Sequence, residues 1–75
     1  MVKLQVNNSG AWKDVLKFDA SENHVGAEIQ DAVHQMGIHD PRNISFRIAI
    51  DDSMNEVLLV WTKAEGWKEW RHAIR

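Results

Sequence analysis

His24, Glu28 and Asp31 have the spacing in this chain that comes nearest to a metal site. In a helix, residues four apart lie on one face, and Asp31 follows Glu28 by about one turn. Three such ligands could hold a zinc ion weakly, but a zinc site needs a fourth ligand or a defined open position. No spacing marks any other histidine as that ligand. We therefore predict a solvated polar stripe here, with no metal and no cofactor.

The hydroxyl side chains offer no recognisable catalytic motif. No motif places a serine on a strained nucleophile turn, and there is no glycine-rich loop of the kind that binds phosphate. Acid–base catalysis needs two titratable groups held together in a pocket. One helix over one sheet leaves little volume for a pocket. We therefore predict that the protein is not an enzyme.

Tryptophan and arginine are the residues best suited to binding another protein, because both are enriched among the side chains that dominate interface energies. The candidate partner-binding residues are Trp61, Trp67, Trp70, Arg71, Arg47 and Lys17. Alternatively, basic residues around aromatic rings on an open sheet resemble the way single-stranded nucleic acid is bound. The candidates for that role are Lys3, Lys13, Lys17 and Arg47. A third alternative is that the tryptophans complete the core and the lysines are ordinary solvated residues.

Net charge favours a protein partner over a nucleic acid. The chain carries a formal charge of −2, and residues 19–40 contain five carboxylates and no lysine or arginine. Such an acidic segment would repel a polyanion that wrapped around the domain. We rank protein binding first and keep nucleic-acid binding as the alternative.

Length and composition predict one small domain spanning residues 1–75. With 75 residues and 44% hydrophobic content, the chain can build one core. It has no cysteine, so disulfides and thiolate metal sites are excluded. No apolar run approaches the length of a membrane span, and the first residues show no signal-peptide pattern. We expect a cytoplasmic protein with no membrane partner.

Hydrophobic periodicity predicts the elements that must position these residues. Apolar and polar residues alternate over 2–6 and again over 13–18, on either side of a turn that contains Gly10, which predicts a hairpin. A helix is predicted over about 22–36, with an N-cap from 19–21. Its expected C-cap is Gly37. The residues expected to form its apolar face are Val25, Ile29, Ala32, Val33 and Met36.

The second half of the chain predicts three more strands. Alternation over 44–50 and a doubly apolar run over 56–62 indicate the third and fourth strands. The segment 67–74 has helical spacing of tryptophans, but Gly66 precedes it as in a hairpin turn. We predict a strand there, with a short helix as the alternative.

These elements give an α+β fold of order β-β-α-β-β-β, with one antiparallel sheet of four or five strands and the helix on one face. One helix is too narrow to cover five strands, so we expect a cationic outer face with exposed aromatic side chains. The function predicted from this surface is non-enzymatic protein binding by surface complementarity. The partner would be a second copy, as a homodimer, or another protein that the domain inhibits or adapts. The small size of the chain and its lack of a catalytic motif suggest a phage or mobile-element accessory factor, such as an inhibitor of host defence.

Overall fold

The predicted order of elements is confirmed by the computed structural model, which describes residues 1–54 and 56–70. The predicted C-terminal strand is present over Gly66–Glu69, and the rest of the predicted segment, 71–74, lies outside the described residues. The elements are β1 (Val2–Asn7), β2 (Trp12–Phe18), α1 (Asn23–His39), β3 (Ser45–Ile50), β4 (Val57–Thr62) and β5 (Gly66–Glu69).

The five strands form one antiparallel sheet in the order β2-β1-β3-β4-β5. The β1–β2 and β4–β5 turns each use a glycine with positive φ, 97° at Gly10 and 74° at Gly66, a conformation that costs other residues energy. The side-chain oxygen of Asn7 accepts a hydrogen bond of 2.9 Å from the Gly10 N–H, which closes the first turn.

Two irregularities in the strand pairing change which side chains face outward. Leu4 pairs with Leu16 but Gln5 pairs with Asp14, so Val15 is an extra residue in β2. The same happens in β4, where the pairing of β3 residues passes from Leu59 to Val57 and skips Leu58. Since side chains alternate between faces, each extra residue moves the rest of its strand to the other face.

The helix begins and ends later than the sequence predicts. Its N-cap is Glu22, which makes no side-chain capping bond. The carboxylate of Asp19 instead accepts bonds from the Ser21 N–H and hydroxyl, at 3.0 and 2.8 Å, and forms a turn just before the helix. These two bonds lower the pKa of Asp19. The helix continues through Gly37 to His39, and Pro41 prevents further extension.

Gly37 serves helix packing rather than capping. A β-carbon added to it would lie 2.6 Å from Cζ3 of Trp61, closer than atoms can approach without displacement. The indole therefore packs directly on the helix backbone. Because this contact comes from a strand 24 positions later in the chain, no local pattern around Gly37 indicates it.

The core lies between this helix and one face of the sheet. Its buried cluster comprises Val2, Leu4, Phe18, Val33, Ile44, Phe46, Ile48 and Trp61. Of the predicted apolar helical face, Val33 is buried and Val25 and Ile29 pack against the cluster, but Ala32 and Met36 are exposed. The helix is therefore turned so that the small residue Gly37, rather than Met36, meets the sheet. The described helix is too short and too polar to cross a lipid bilayer.

Candidate binding surface

The four tryptophans divide between the two faces of the sheet. Trp61 is 0% exposed and lies beneath the helix. Its ring packs edge to face against that of Phe46, with 5.8 Å between the ring centres. Its indole N–H donates a 3.0 Å hydrogen bond to Nδ1 of His34. A side chain with no exposed surface cannot contact a partner, so the sequence-based assignment of Trp61 to the contact set is corrected to the core.

Trp67 lies opposite Trp61 in the β4–β5 pairing, on the same face of the sheet. It is partly buried and packs against the core cluster. Its indole N–H donates a 2.8 Å bond to the main-chain oxygen of Gln30, which ties β5 to the helix. Trp67 therefore joins the helix and the C-terminal edge of the sheet, and its predicted contact role receives no support from this position.

Trp70 lies on the outer face, the side of the sheet without the helix. It follows β5, its side chain is 51% exposed, and its main-chain N–H donates to the oxygen of Leu58 at 3.0 Å. Arg71, predicted to act beside it, lies outside the described residues. Trp70 is thus the large aromatic side chain that the described structure leaves open to solvent.

Trp12 and Arg47 share the outer face with Trp70. Trp12 starts β2 opposite Asn7, and the Arg47 guanidinium carbon lies 4.2 Å from the centre of its ring. These three residues, with Val57 and Val60, line a depression of about 220 Å³ on the outer face. We call it the aromatic groove. Sequence reasoning missed Trp12, although its place immediately after a glycine-containing turn, like that of Trp67, was a usable signal.

A short chain of hydrogen bonds orients Arg47. Its Nε donates to Oε1 of Gln5 at 2.7 Å, and Nε2 of Gln5 donates to Oδ1 of Asp14 at 2.7 Å. Asp14 reaches this position because the irregularity in β2 turns it to the outer face. Burial lowers the pKa of Arg47, although a guanidinium still carries its charge at neutral pH. Within residues 1–54 and 56–70, no carboxylate lies within ion-pair distance of Arg47.

The lysines of the outer face are already paired with carboxylates. Lys17 and Lys3 share Asp51, with Nζ–O distances of 3.2 and 4.0 Å. Lys68 pairs with Glu65 at 3.4 Å. The outer face, expected to be cationic, therefore has three lysines whose charge is partly compensated by two carboxylates.

The residues predicted for nucleic-acid binding do not form one accessible cluster. Lys3 is only 8% exposed. Lys13 pairs with Val6, a residue packed against the core, so it belongs to the helix side of the sheet rather than the outer face. Lys17 is on the outer face with Arg47, but its charge is directed to Asp51.

A second depression of about 320 Å³ opens between the sheet and the first turns of the helix. The small residues Gly26 and Ala27 leave this space above Leu59 and Ile48, so the domain has more pocket volume than the sequence predicts. None of the residues that line it is titratable, so this lining supplies no acid or base. The predicted polar stripe of His24, Glu28 and Asp31 is exposed. Within the described part of the chain, no three potential metal ligands are grouped.

No protein-family model, curated protein or solved structure matches the chain.

Proposed function

We propose that this domain binds another protein through the aromatic groove and has no catalytic activity. The observation that carries the proposal is the position of Trp70, half exposed beside a stacked Trp12–Arg47 pair on the face without the helix. The other two tryptophans have their indole N–H groups bonded inside the domain. Trp70 contributes little to the core by comparison, which is what a contact residue requires.

The composition of the groove matches the residues that dominate protein interfaces. Tryptophan and arginine are over-represented among energetically important interface residues, and they act best when surrounded by apolar side chains that exclude water. Val57 and Val60 provide such a surround. The groove is small, so we expect it to accept one or two side chains of a partner as the centre of a larger contact.

A foreign protein fits the groove better than a nucleic acid or a second copy. Lysines that are already paired with carboxylates have less charge to offer phosphates. A two-fold symmetric dimer centred on the groove would bring Arg47 towards its own copy, with like charges facing each other. We therefore favour an inhibitor or adaptor of another protein over a homodimer. A cytoplasmic location is also part of this proposal.

Selection of a display library of randomised short peptides on the immobilised chain tests this function. We expect the recovered peptides to bind Trp70→Ala about tenfold or more weakly than the parent chain. Met54→Ala is the matched control, because Met54 is 81% exposed and is not among the groove residues. Recovered peptides that bind Trp70→Ala as tightly as the parent chain would contradict the proposal.

Folding of the variants must be measured beside binding. We expect Trp70→Ala to unfold cooperatively with a free energy of unfolding within about 1 kcal/mol of the parent, since half of the side chain is already in water. Trp67→Ala should cost more, about 2–4 kcal/mol, because it loses core contacts and the bond to Gln30. Urea unfolding monitored by tryptophan fluorescence measures the loss of stability in each of these two variants. Equal losses of stability would mean that Trp70 also serves the core.

A further inference from the structure

Arg47 differs from the other described cations of the outer face in having no acidic partner. Lys3 and Lys17 contact Asp51, and Lys68 contacts Glu65, whereas the Nε of Arg47 contacts only the neutral amide of Gln5. Its two Nη groups have no partner within the described residues. The domain thus holds a positive charge in a partly desolvated place without compensating it.

Arg42 shows what compensation would look like in this protein. Its guanidinium contacts Asp40 through Nε and Nη2 at 3.1 and 2.9 Å, and the pKa of Arg42 is raised by that carboxylate. For Arg47 burial acts in the opposite direction. An anion that pairs with such a guanidinium should gain more binding free energy than one that pairs with a fully solvated cation. The reason is that the guanidinium is already partly desolvated in the free domain.

The geometry of Arg47 also suits one kind of anion. Stacking on Trp12 and the bond to Gln5 hold the guanidinium plane in a fixed orientation, so its Nη edge can meet the two oxygens of a carboxylate together. Val57, Val60 and Trp70 lie beside it and would contact an apolar side chain.

We propose, on the basis of the binding function proposed above, that the aromatic groove recognises a protein segment in which an acidic side chain is next to an apolar or aromatic one. The carboxylate binds the Nη edge of Arg47, and the apolar side chain packs between Trp12 and Trp70. Charge complementarity identifies this partner, since the groove supplies one unpaired positive charge in an apolar surround. A polyanion would find only one such charge there.

The recovered display peptides provide the probe for this inference. We expect their sequences to share an aspartate or glutamate adjacent to an apolar residue. A synthetic peptide of that sequence should bind the parent chain about tenfold or more tightly than its amide counterpart, in which the acid is replaced by asparagine or glutamine. The Arg47→Met variant should bind both peptides equally weakly. Arg42→Met removes the same charge from a site already paired with Asp40 and should leave both affinities unchanged.

The outcomes separate the inference from the function on which it rests. If acid and amide peptides bind the parent chain equally while Trp70→Ala still weakens both, the acidic recognition is wrong and the groove still binds protein. If Trp70→Ala has no effect, the binding function itself is wrong. A thymine oligonucleotide that binds the parent chain and not Arg47→Met would assign the groove to phosphate and overturn the inference. Should Arg47→Met fail to fold, the acid–amide comparison on the parent chain decides.

Discussion

The indole N–H of Trp61 and Nδ1 of His34 make a side-chain bond between β4 and the helix. Since Nδ1 accepts this hydrogen bond, the neutral histidine carries its proton on Nε2. Trp61 is fully buried, so its N–H has no access to water if the acceptor is lost. Position 34 therefore has to provide a hydrogen-bond acceptor for Trp61 as well as fill space beside it.

We expect His34→Leu to lower the free energy of unfolding by about 1–3 kcal/mol, because it leaves a buried donor unsatisfied. The comparison is His39→Leu, which changes an exposed position near the end of the same helix. In a Trp61→Phe background the donor is absent, so the cost of His34→Leu should shrink. Urea unfolding of the four combinations measures this coupling. An equal cost in both backgrounds would contradict the role given to the bond.

Asp40 is the C-cap of the helix and accepts three hydrogen bonds from Arg42. They come from the main-chain N–H at 2.8 Å, from Nε at 3.1 Å and from Nη2 at 2.9 Å. The side-chain bonds from Arg42 are the main cause that lowers the pKa of Asp40 to about 2. The main-chain oxygen of Asp40 also accepts a bond from Nζ of Lys63, so this residue links the helix end to the turn after β4.

We predict that the Asp40 carboxyl group titrates near pH 2 in the folded protein and at a higher pH in Arg42→Met. A lowered pKa in the folded state means that Asp40 adds stability above its unfolded-state pKa of about 3.9, and that this contribution is lost as the pH falls through about 2. Carbon chemical shifts of the carboxyl group report the titration directly. A midpoint that Arg42→Met leaves in place would show that the side chain of Arg42 is not the cause.

At the scale of whole elements, the helix carries two glycines with opposite packing. A β-carbon at Gly37 would overlap the ring of Trp61, whereas one at Gly26 would meet nothing within 4 Å. Both substitutions to alanine remove the same backbone freedom from the unfolded chain. The pair therefore isolates the effect of the contact with β4 from helix propensity.

We expect Gly26→Ala to raise the free energy of unfolding by about 0.5–1 kcal/mol and Gly37→Ala to lower it by about 1–3 kcal/mol. Alanine at position 26 has a higher helix propensity than glycine, and its methyl group meets no other atom. Alanine at position 37 would overlap the Trp61 ring, so the indole or the helix has to move. Thermal and urea unfolding of the two variants give the comparison. A stabilising Gly37→Ala would mean that the helix can withdraw from Trp61 without loss.

Periodicity predicted the elements because each strand and the helix bury one face. Burial of one face requires a regular spacing of apolar residues, which can be recognised within each segment alone. The alternation over 2–6 and over 44–50 became β1 and β3 at the centre of the sheet. The helix end was predicted too early because a glycine near a helix end usually caps it, whereas Gly37 is needed for contact with a distant strand. Long-range contacts of this kind leave no local pattern.

The candidate site was only partly predictable for the same reason. Arg47 and Trp70 were identified from residue type, and the structure brings them together on one face. Trp61 was placed wrongly because a strand with two apolar faces gives no indication of which face meets the helix. The extra residue in β2 decides that Asp14, and not Lys13, faces outward. An irregularity of one residue reverses a face without changing composition.

At the scale of the whole molecule, acidic side chains line the helix, whereas the outer face holds one guanidinium with no acidic partner among the described residues. The exposed stripe of His24, Glu28 and Asp31 lies on the solvent side of the helix, while the groove with Arg47 lies on the opposite face of the sheet. We therefore expect an acidic partner, as proposed above, to be repelled from the helix side and attracted towards the groove. This arrangement should favour correctly oriented encounters and make the association rate fall with added salt.

The same distribution predicts that the domain does not bind single-stranded nucleic acid. We expect the acidic side chains of the helix to repel a polyanion, and the lysines paired with Asp51 and Glu65 have less charge to offer it. Fluorescence anisotropy of a labelled thymine oligonucleotide should show no saturable binding. Saturable binding that weakens steeply with salt, and that Lys17→Glu abolishes, would reverse the ranking of protein over nucleic acid.

The extra residue in β2 has a consequence for the behaviour of the protein at high concentration. A sheet border that is straight and apolar offers a template on which further chains stack into ribbons. Here the border strand β2 has its extra residue at Val15 and carries Lys13, Asp14 and Lys17. Stacking on β2 would have to accommodate the extra residue and desolvate those charges, so we expect the irregularity that turns Asp14 towards Gln5 to oppose fibrous growth from this border.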